Sequence, residues 1–211
     1  MSEDFFEKHI DKVYWLCLSE NPSLSEVFFE KHIDTSGEAG QLCCKVDWER
    51  LSCNSSMSEA FFERHIKDVD WFWLSQNPSL SETFFEKHIK DVDWFSLSQN
   101  SLSEAFFEKY IDAPCKIKWM RLSQNPSMSE TFFKRHLEKV NWFSLSQNSS
   151  MSETFFERYL DKVKWFSLCE NPSMSATFFE RHLDKIDWTN WPSLFRNSCI
   201  RSWQKFFTDF L

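Results

Sequence analysis

The sequence predicts an all-α solenoid of short helix pairs, right- or left-handed, with a period of about 23 residues. Three observations lead there. Residues 69–89, VDWFWLSQNPSLSETFFEKHI, recur in edited form along the chain, and Trp71, Trp94, Trp119, Trp142, Trp165 and Trp188 follow one another at steps of 23, 25, 23, 23 and 23. Trp is followed by Leu three places later in Trp94/Leu97, Trp119/Leu122, Trp142/Leu145 and Trp165/Leu168, whereas a two-residue alternation fails because the Trp73 position becomes Ser96, Arg121, Ser144 or Ser167. The second half of the repeat opens on serine and glutamate before a phenylalanine pair, which reads as a marked helix start.

The first element of each repeat is expected to be a helix of about two turns, stopped before the proline of Asn77-Pro78. A strand is the rival, since Val, Trp and Phe favour sheets, and a strand-and-helix solenoid is the alternative fold. The second element is expected to use Ser79 and Glu82 as a capping box, with Leu80, Phe84, Phe85, His88 and Ile89 forming its apolar stripe. Ser23 with Glu26, Ser56 with Glu59, Ser127 with Glu130 and Ser150 with Glu153 repeat the pattern. Ala176 breaks it, at an expected local cost of up to ~1 kcal/mol. Trp15, Trp48, Trp71, Trp94, Trp119, Trp142 and Trp165, with Phe84 and Phe85, are the expected structural core of the repeats.

Residues 1–211 read as a single repeat domain. Residues 1–12 are a half-repeat cap and 13–33 the first whole repeat. Residues 34–44, which hold both glycines, are an inserted loop that should leave the stack undisturbed. Residues 45–187 are regular tandem repeats, with a small joint at Ala113-Pro114-Cys115, and 188–211 a divergent cap.

The chain carries 24 Lys and Arg against 32 Asp and Glu, a formal charge of -8, and no basic block, which argues against nucleic acid as a partner. No apolar run approaches the ~20 residues of a membrane-spanning helix. The amino end already belongs to a repeat and has no signal-peptide layout. Cys17, Cys43, Cys44, Cys53, Cys115, Cys169 and Cys199 lack paired spacings and read as reduced thiols.

Candidate chemistry is sparse. His9, His32, His65, His88, His136 and His182 share one repeat position, where Tyr110 and Tyr159 also occur. A metal ligand or catalyst is poorly replaced by tyrosine, so the row reads as rings at the core edge, their polar tips met by solvent or a carbonyl. Cys43-Cys44, near Cys53, is the best metal suspicion but lacks a zinc-knuckle spacing. The repeated glutamates read as solvated faces, with Glu86 and Lys90 able to pair along one helix. With neither a nucleophile elbow nor a phosphate loop, no enzymatic activity, cofactor or metal is expected.

The residue after each anchor tryptophan varies between repeats. Phe72, Phe95, Phe143 and Phe166 at this position form a candidate interaction strip, with burial between repeats as the competing explanation. Asn100 and Phe95 are expected to be surface positions.

The string Trp-x-x-Leu-Ser-x-Asn-Pro occurs as Trp15-Leu16-Cys17-Leu18-Ser19-Glu20-Asn21-Pro22, and again from Trp71 to Pro78 and from Trp119 to Pro126. Followed by a helix and by Lys-Val or Lys-Ile before the next Trp, it resembles short tandem repeats abundant in uncharacterised proteins of giant DNA viruses that infect amoebae. The present chain departs from many of them in reading Pro-Ser-Leu/Met-Ser-Glu and Phe-Phe-Glu. The resemblance implies a non-enzymatic protein-interaction scaffold binding a host or viral protein, in the host cytoplasm or the virion. A self-associating structural component of the particle is the alternative.

Overall fold

A computed structural model describes residues 2–33, 46–113 and 116–186. The insertion at 34–44, the Pro114-Cys115 joint and the cap at 188–211 lie largely or wholly outside the described residues. The chain divides into two compact units, Met1–Asn100 and Ser101–Leu211, each treated by itself below. The first contains helices α1 (Glu3–Lys8), α2 (Trp15–Ser19), α3 (Glu26–Glu30), α4 (Trp48–Ser52), α5 (Glu59–Arg64), α6 (Trp71–Leu74), α7 (Glu82–Lys87) and α8 (Trp94–Leu97). The second contains α9 (Glu104–Glu108), α10 (Trp119–Leu122), α11 (Glu130–Arg135), α12 (Trp142–Gln147), α13 (Glu153–Glu157), α14 (Trp165–Cys169), α15 (Ala176–Glu180) and a 3-10 turn at Leu183–Lys185. No strand occurs among the described residues, so the fold is an all-α stack of helix pairs and the strand-and-helix alternative falls.

The helix that begins each repeat is shorter than expected. Asp70 caps α6, its side chain accepting from the Trp73 N–H at 3.1 Å, so Lys67 to Val69 lie in the preceding turn and α6 has a single turn. Asp47, Asp93 and Asn141 cap α4, α8 and α12 in the same way. The Phe helices also differ from the sequence expectation. Ser81 caps α7, rather than Ser79, by accepting from the Phe84 N–H at 3.2 Å. The buried Leu80 between the two serines holds the chain extended up to Ser81, and the helix starts only beyond it. Ser175 likewise caps α15, so Ala176 leaves that local cap intact.

The glutamate at the first helical position instead reaches the next repeat. Glu26 accepts from the Ser58 N–H at 2.7 Å, Glu104 from Ser129 at 2.7 Å and Glu153 from Ser175 at 2.6 Å. Each thereby satisfies a backbone donor that lies just ahead of the neighbouring helix and has no partner within it.

Apolar columns run through each half. They comprise the valine or isoleucine before the Trp helix, the leucine within it, a leucine or methionine before the Phe helix, and both phenylalanines. In the second half these are, for one repeat, Val140, Leu145, Met151, Phe155 and Phe156, all buried. Each phenylalanine pair meets edge to face, with ring centroids 5.5 to 5.8 Å apart. The anchor tryptophans are half-buried and lie over the first phenylalanine, as Trp142 does over Phe155 at 6.5 Å.

An asparagine ladder joins the repeats. Asn148 is buried, and its amide nitrogen donates to the Ser123 carbonyl at 3.0 Å and the Asn125 carbonyl at 3.1 Å, both in the preceding repeat. Its side-chain oxygen accepts from the Ser150 N–H at 2.9 Å, closing the turn before the Phe helix. Asn171 continues the ladder onto Ser146 and Asn148. In the first half, Asn54 donates to Ser19 and Asn21, Asn77 to Ser52 and Asn54, and Asn100 to Ser75 and Asn77. Asn54 thus joins the repeats on either side of the insertion. Asn100 is 6% exposed and is not a surface position.

A serine column runs beside the asparagines. The buried Ser123 and Ser146 accept through their hydroxyls from the Asn141 and Lys164 N–H groups of the following repeat at 3.0 and 3.1 Å. Ser146 also donates to its own Trp142 carbonyl at 2.7 Å.

Asn148→Asp keeps the volume but removes both donors and places a carboxylate against two carbonyls. It is expected to lower the unfolding free energy by roughly 2–5 kcal/mol in denaturant titrations. A loss under about 0.5 kcal/mol would show that the ladder contributes little to stability.

Candidate interaction surface

The position after the anchor tryptophan is the second residue of a one- or two-turn helix whose inward face is filled by the leucine two places later. The structure leaves Phe72, Phe143 and Phe166 exposed, at 42%, 50% and 45%. Phe95 is half-buried. In the second half, Met120 takes this position at 49% exposure, so Met120, Phe143 and Phe166 occupy it in three successive repeats, whose Trp helices pack α10 on α12 and α12 on α14. Met120 was missing from the sequence strip because only phenylalanines were gathered there. The half-burial of Phe95 leaves it between the two explanations, anchor and spacer.

The first half is different. Glu49 is exposed and Leu16 half-buried at this position, and Phe72 packs edge to face on Trp73 with centroids 5.2 Å apart. At the start of this half, an open hollow of about 220 Å³ is lined by Phe6, Val13, Tyr14, Cys17, Leu18 and Asn21. Tyr14 there is 70% exposed.

The histidines lie where ring packing and charge meet. His65 stands against Trp48 and Phe61 with centroids at 5.4 and 5.0 Å, and its Nε2 lies 3.0 Å from Glu30 of the preceding repeat. His88 with Glu63, His136 with Glu108 and His182 with Glu157 repeat the arrangement at 3.0 to 3.1 Å. The polar tip therefore meets a carboxylate across the repeat junction, rather than solvent or a carbonyl. Neighbouring cations join it: Arg64 contacts Glu30 at 2.8 Å, Lys87 contacts Glu63 at 2.8 Å and Arg181 contacts Glu157 at 2.8 Å. These glutamates are thus inter-repeat ties more than freely solvated charges, although each exposed pair contributes only about 0–1 kcal/mol.

Several carboxyls are held below their ordinary value. For Glu130, burial pushes upward, but hydrogen bonds from the Ser152 hydroxyl and backbone N–H and the nearby Lys134 outweigh it. Glu26 is lowered likewise against its burial, by Ser58 and then Arg64, and Glu30 against its burial, by Arg64 and His65. Lys87 and then His88 lower Glu63. Cys169, in the column otherwise occupied by serines, is buried and its thiol is pushed up to about 12 by desolvation and by Glu170. It therefore stays protonated at neutral pH. Cys17 is an exposed free thiol, whereas Cys43 and Cys44 lie outside the described residues.

Among the described residues, no group of three or more His, Cys, Asp or Glu side chains could hold a metal ion. No described helix is long and apolar enough to cross a membrane. The fold and surface together define an all-α repeat protein whose junctions are constant and whose exposed positions vary. No family model, curated protein or solved structure matches the chain.

A depressed carboxyl adds stability that is complete above its unfolded value and disappears as pH falls through the lower folded value. The stability difference between the parent chain and Glu130→Gln is therefore expected to be largest near neutrality and to shrink from about pH 5 to pH 3, followed by thermal unfolding. A pH-independent gap would contradict the assignment.

Proposed function

We propose that the chain is a non-enzymatic protein-protein interaction scaffold for a host or viral protein. One observation supports this most directly: constant residues make the repeat junctions, while the position after each tryptophan is free to change and in four repeats exposes a large apolar side chain. Exposed aromatics on rigid short elements are suited to act as binding anchors. The host or viral assignment rests on the resemblance of the Trp-x-x-Leu-Ser-x-Asn-Pro repeats to those of amoebal giant viruses.

A Phe143→Ser/Phe166→Ser variant should lose proteins that are cross-linked to the parent chain in the native source. Its unfolding free energy should fall by under about 2 kcal/mol, against about 3–5 kcal/mol for the buried Phe155→Ala. Unchanged capture, or a stability loss matching Phe155→Ala, would assign these rings to packing alone.

The first repeat favours a second reading, a self-assembling or virion structural component. Among the described residues, the Asn21 amide meets no carbonyl of another repeat, and Tyr14, which lines the same hollow, is 70% exposed. Light scattering of the parent chain and Tyr14→Glu discriminates the two. A dilution-stable oligomer abolished by the substitution supports assembly through this edge, and a monomer throughout supports the scaffold.

A further inference from the structure

The first half carries a surface of another kind where its column of Trp helices begins. Helix α1 stands in the phenylalanine column, in register with the repeats that follow. Glu3 accepts from the Ser25 N–H at 2.6 Å as Glu26 does from Ser58 at 2.7 Å, and Glu7 lies 3.4 Å from His32 as Glu30 lies 3.0 Å from His65. Residues 2–12 thus contribute the Phe helix of a repeat and no Trp helix. Further along this half each Trp helix packs on the one before it, α4 on α2 and α6 on α4. At α2 itself lies the open hollow of Phe6, Val13, Tyr14, Cys17, Leu18 and Asn21.

The interior of the same half shows what such a face accepts. The backbone N–H groups of Asp47, Asp70 and Asp93 donate to the hydroxyl of a serine ending the preceding Trp helix, at 2.9 to 3.0 Å. The amides of Asn54, Asn77 and Asn100 donate to the carbonyl of that serine and to the carbonyl two residues on, at 2.9 to 3.3 Å. Tyr14 and Asn21 occupy these two places in the first repeat, and among the described residues the Tyr14 N–H and the Asn21 amide meet no partner. The Asn21 side-chain oxygen still accepts from the Ser23 N–H at 3.0 Å, so the turn that holds the amide is formed. Burial falls in parallel: Val13 and Asn21 are half-buried, whereas Val46, Val69, Asn54 and Asn77 are buried.

We infer that this hollow seats a short helix of another protein, one that ends in Leu-Ser-x-Asn as the Trp helices of this chain do. Its serine would offer a hydroxyl to the Tyr14 N–H, and its serine and asparagine carbonyls would take the two amide hydrogens of Asn21. The apolar lining supplies contact area, and the donors, which burial would otherwise leave unpaired, fix the register. A second copy of the chain is less suited. Each described Trp helix is followed by the Phe helix of its own repeat, and α1 already holds the place that such a Phe helix would take. The seat therefore admits a lone Trp-type helix and not a whole repeat. It adds to the aromatic strip of the second half a site of different chemistry.

The probe is a synthetic peptide of residues 90–100, KDVDWFSLSQN, added to the full chain while alkylation of the exposed Cys17 is followed by mass spectrometry. At about 1 mM, a concentration suited to a segment that must order itself on binding, the peptide should slow alkylation of Cys17 at least about fivefold and leave Cys53 unchanged. Asn21→Asp replaces both donors by acceptors and should weaken the protection at least about tenfold. Because that amide meets no partner within the chain, the same variant should melt within about 2 °C of the parent, whereas Asn148→Asp should melt about 4 °C or more lower. No protection by the peptide, equal protection by a peptide carrying Leu97→Asp, or protection within twofold of the parent in Asn21→Asp overturns the inference. A melting loss in Asn21→Asp matching that of Asn148→Asp overturns it too, by showing the amide already engaged. Slow Cys17 alkylation in the chain alone that speeds up on dilution assigns the seat to a second copy and overturns the separate partner. The readout at Cys17 involves no residue of the aromatic strip, so either site can fail without the other.

Discussion

The buried asparagine carboxamide is the interaction on which the repeats depend. A repeat of about 23 residues contains two helices of one or two turns, and such helices leave most of their backbone groups without partners inside the element. Left buried and unpaired, each would cost on the order of 1–3 kcal/mol. The carboxamide addresses three at once: two carbonyls at the end of the preceding Trp helix and one N–H in its own turn. The serine hydroxyl and the reaching glutamate take further backbone donors at the same junction. The apolar columns can then close around a backbone that is already satisfied, so large phenylalanines pack between elements too short to be stable alone.

Two kinds of junction chemistry lie side by side. On the inside, neutral carboxamide and hydroxyl groups bond to backbone, where burial strengthens each contact and penalises its absence. Toward the outside, histidine, arginine and lysine meet glutamates of the preceding repeat in partly exposed pairs that contribute modestly. This division explains why the inner positions are nearly uniform, whereas the histidine position accepts tyrosine at Tyr110 and Tyr159. A tyrosine keeps the ring contact, as Tyr159 does against Trp142 and Phe155, and ring packing is the part that the core requires.

The periodicity, the helix pairs and the buried phenylalanines were legible because they follow from spacing and side-chain size. What was not legible depends on atoms of a neighbouring repeat. Ser79 and Ser81 are equally good caps on paper, and the choice was made by the need to bury Leu80 between them. Glu82 and its equivalents matched a capping box at Ser79, but in space that carboxylate position faces the next serine along the stack. The asparagine did leave a trace. It persists in Asn54-Ser55, Asn100-Ser101 and Asn148-Ser149, where proline is absent, so the side chain rather than the following proline is what the turn requires. At the candidate surface, the second residue of the Trp helix was identifiable from its variability. Its exposure depended on how the short helices pack, which sets Phe143 outward and leaves Phe95 half-buried.

The direction of the ladder has an evolutionary consequence. Within each half, Asn54, Asn77, Asn100, Asn148 and Asn171 all donate backward to the same two carbonyl positions of the repeat before, so repeats joined in this way are chemically acceptable neighbours for one another. A duplicated or deleted repeat would find matching partners without compensating changes at the new junction. Chain length and outward-facing side chains can then diversify independently of the fold, and a new recognition surface needs only a copied segment and a few substitutions after its tryptophan.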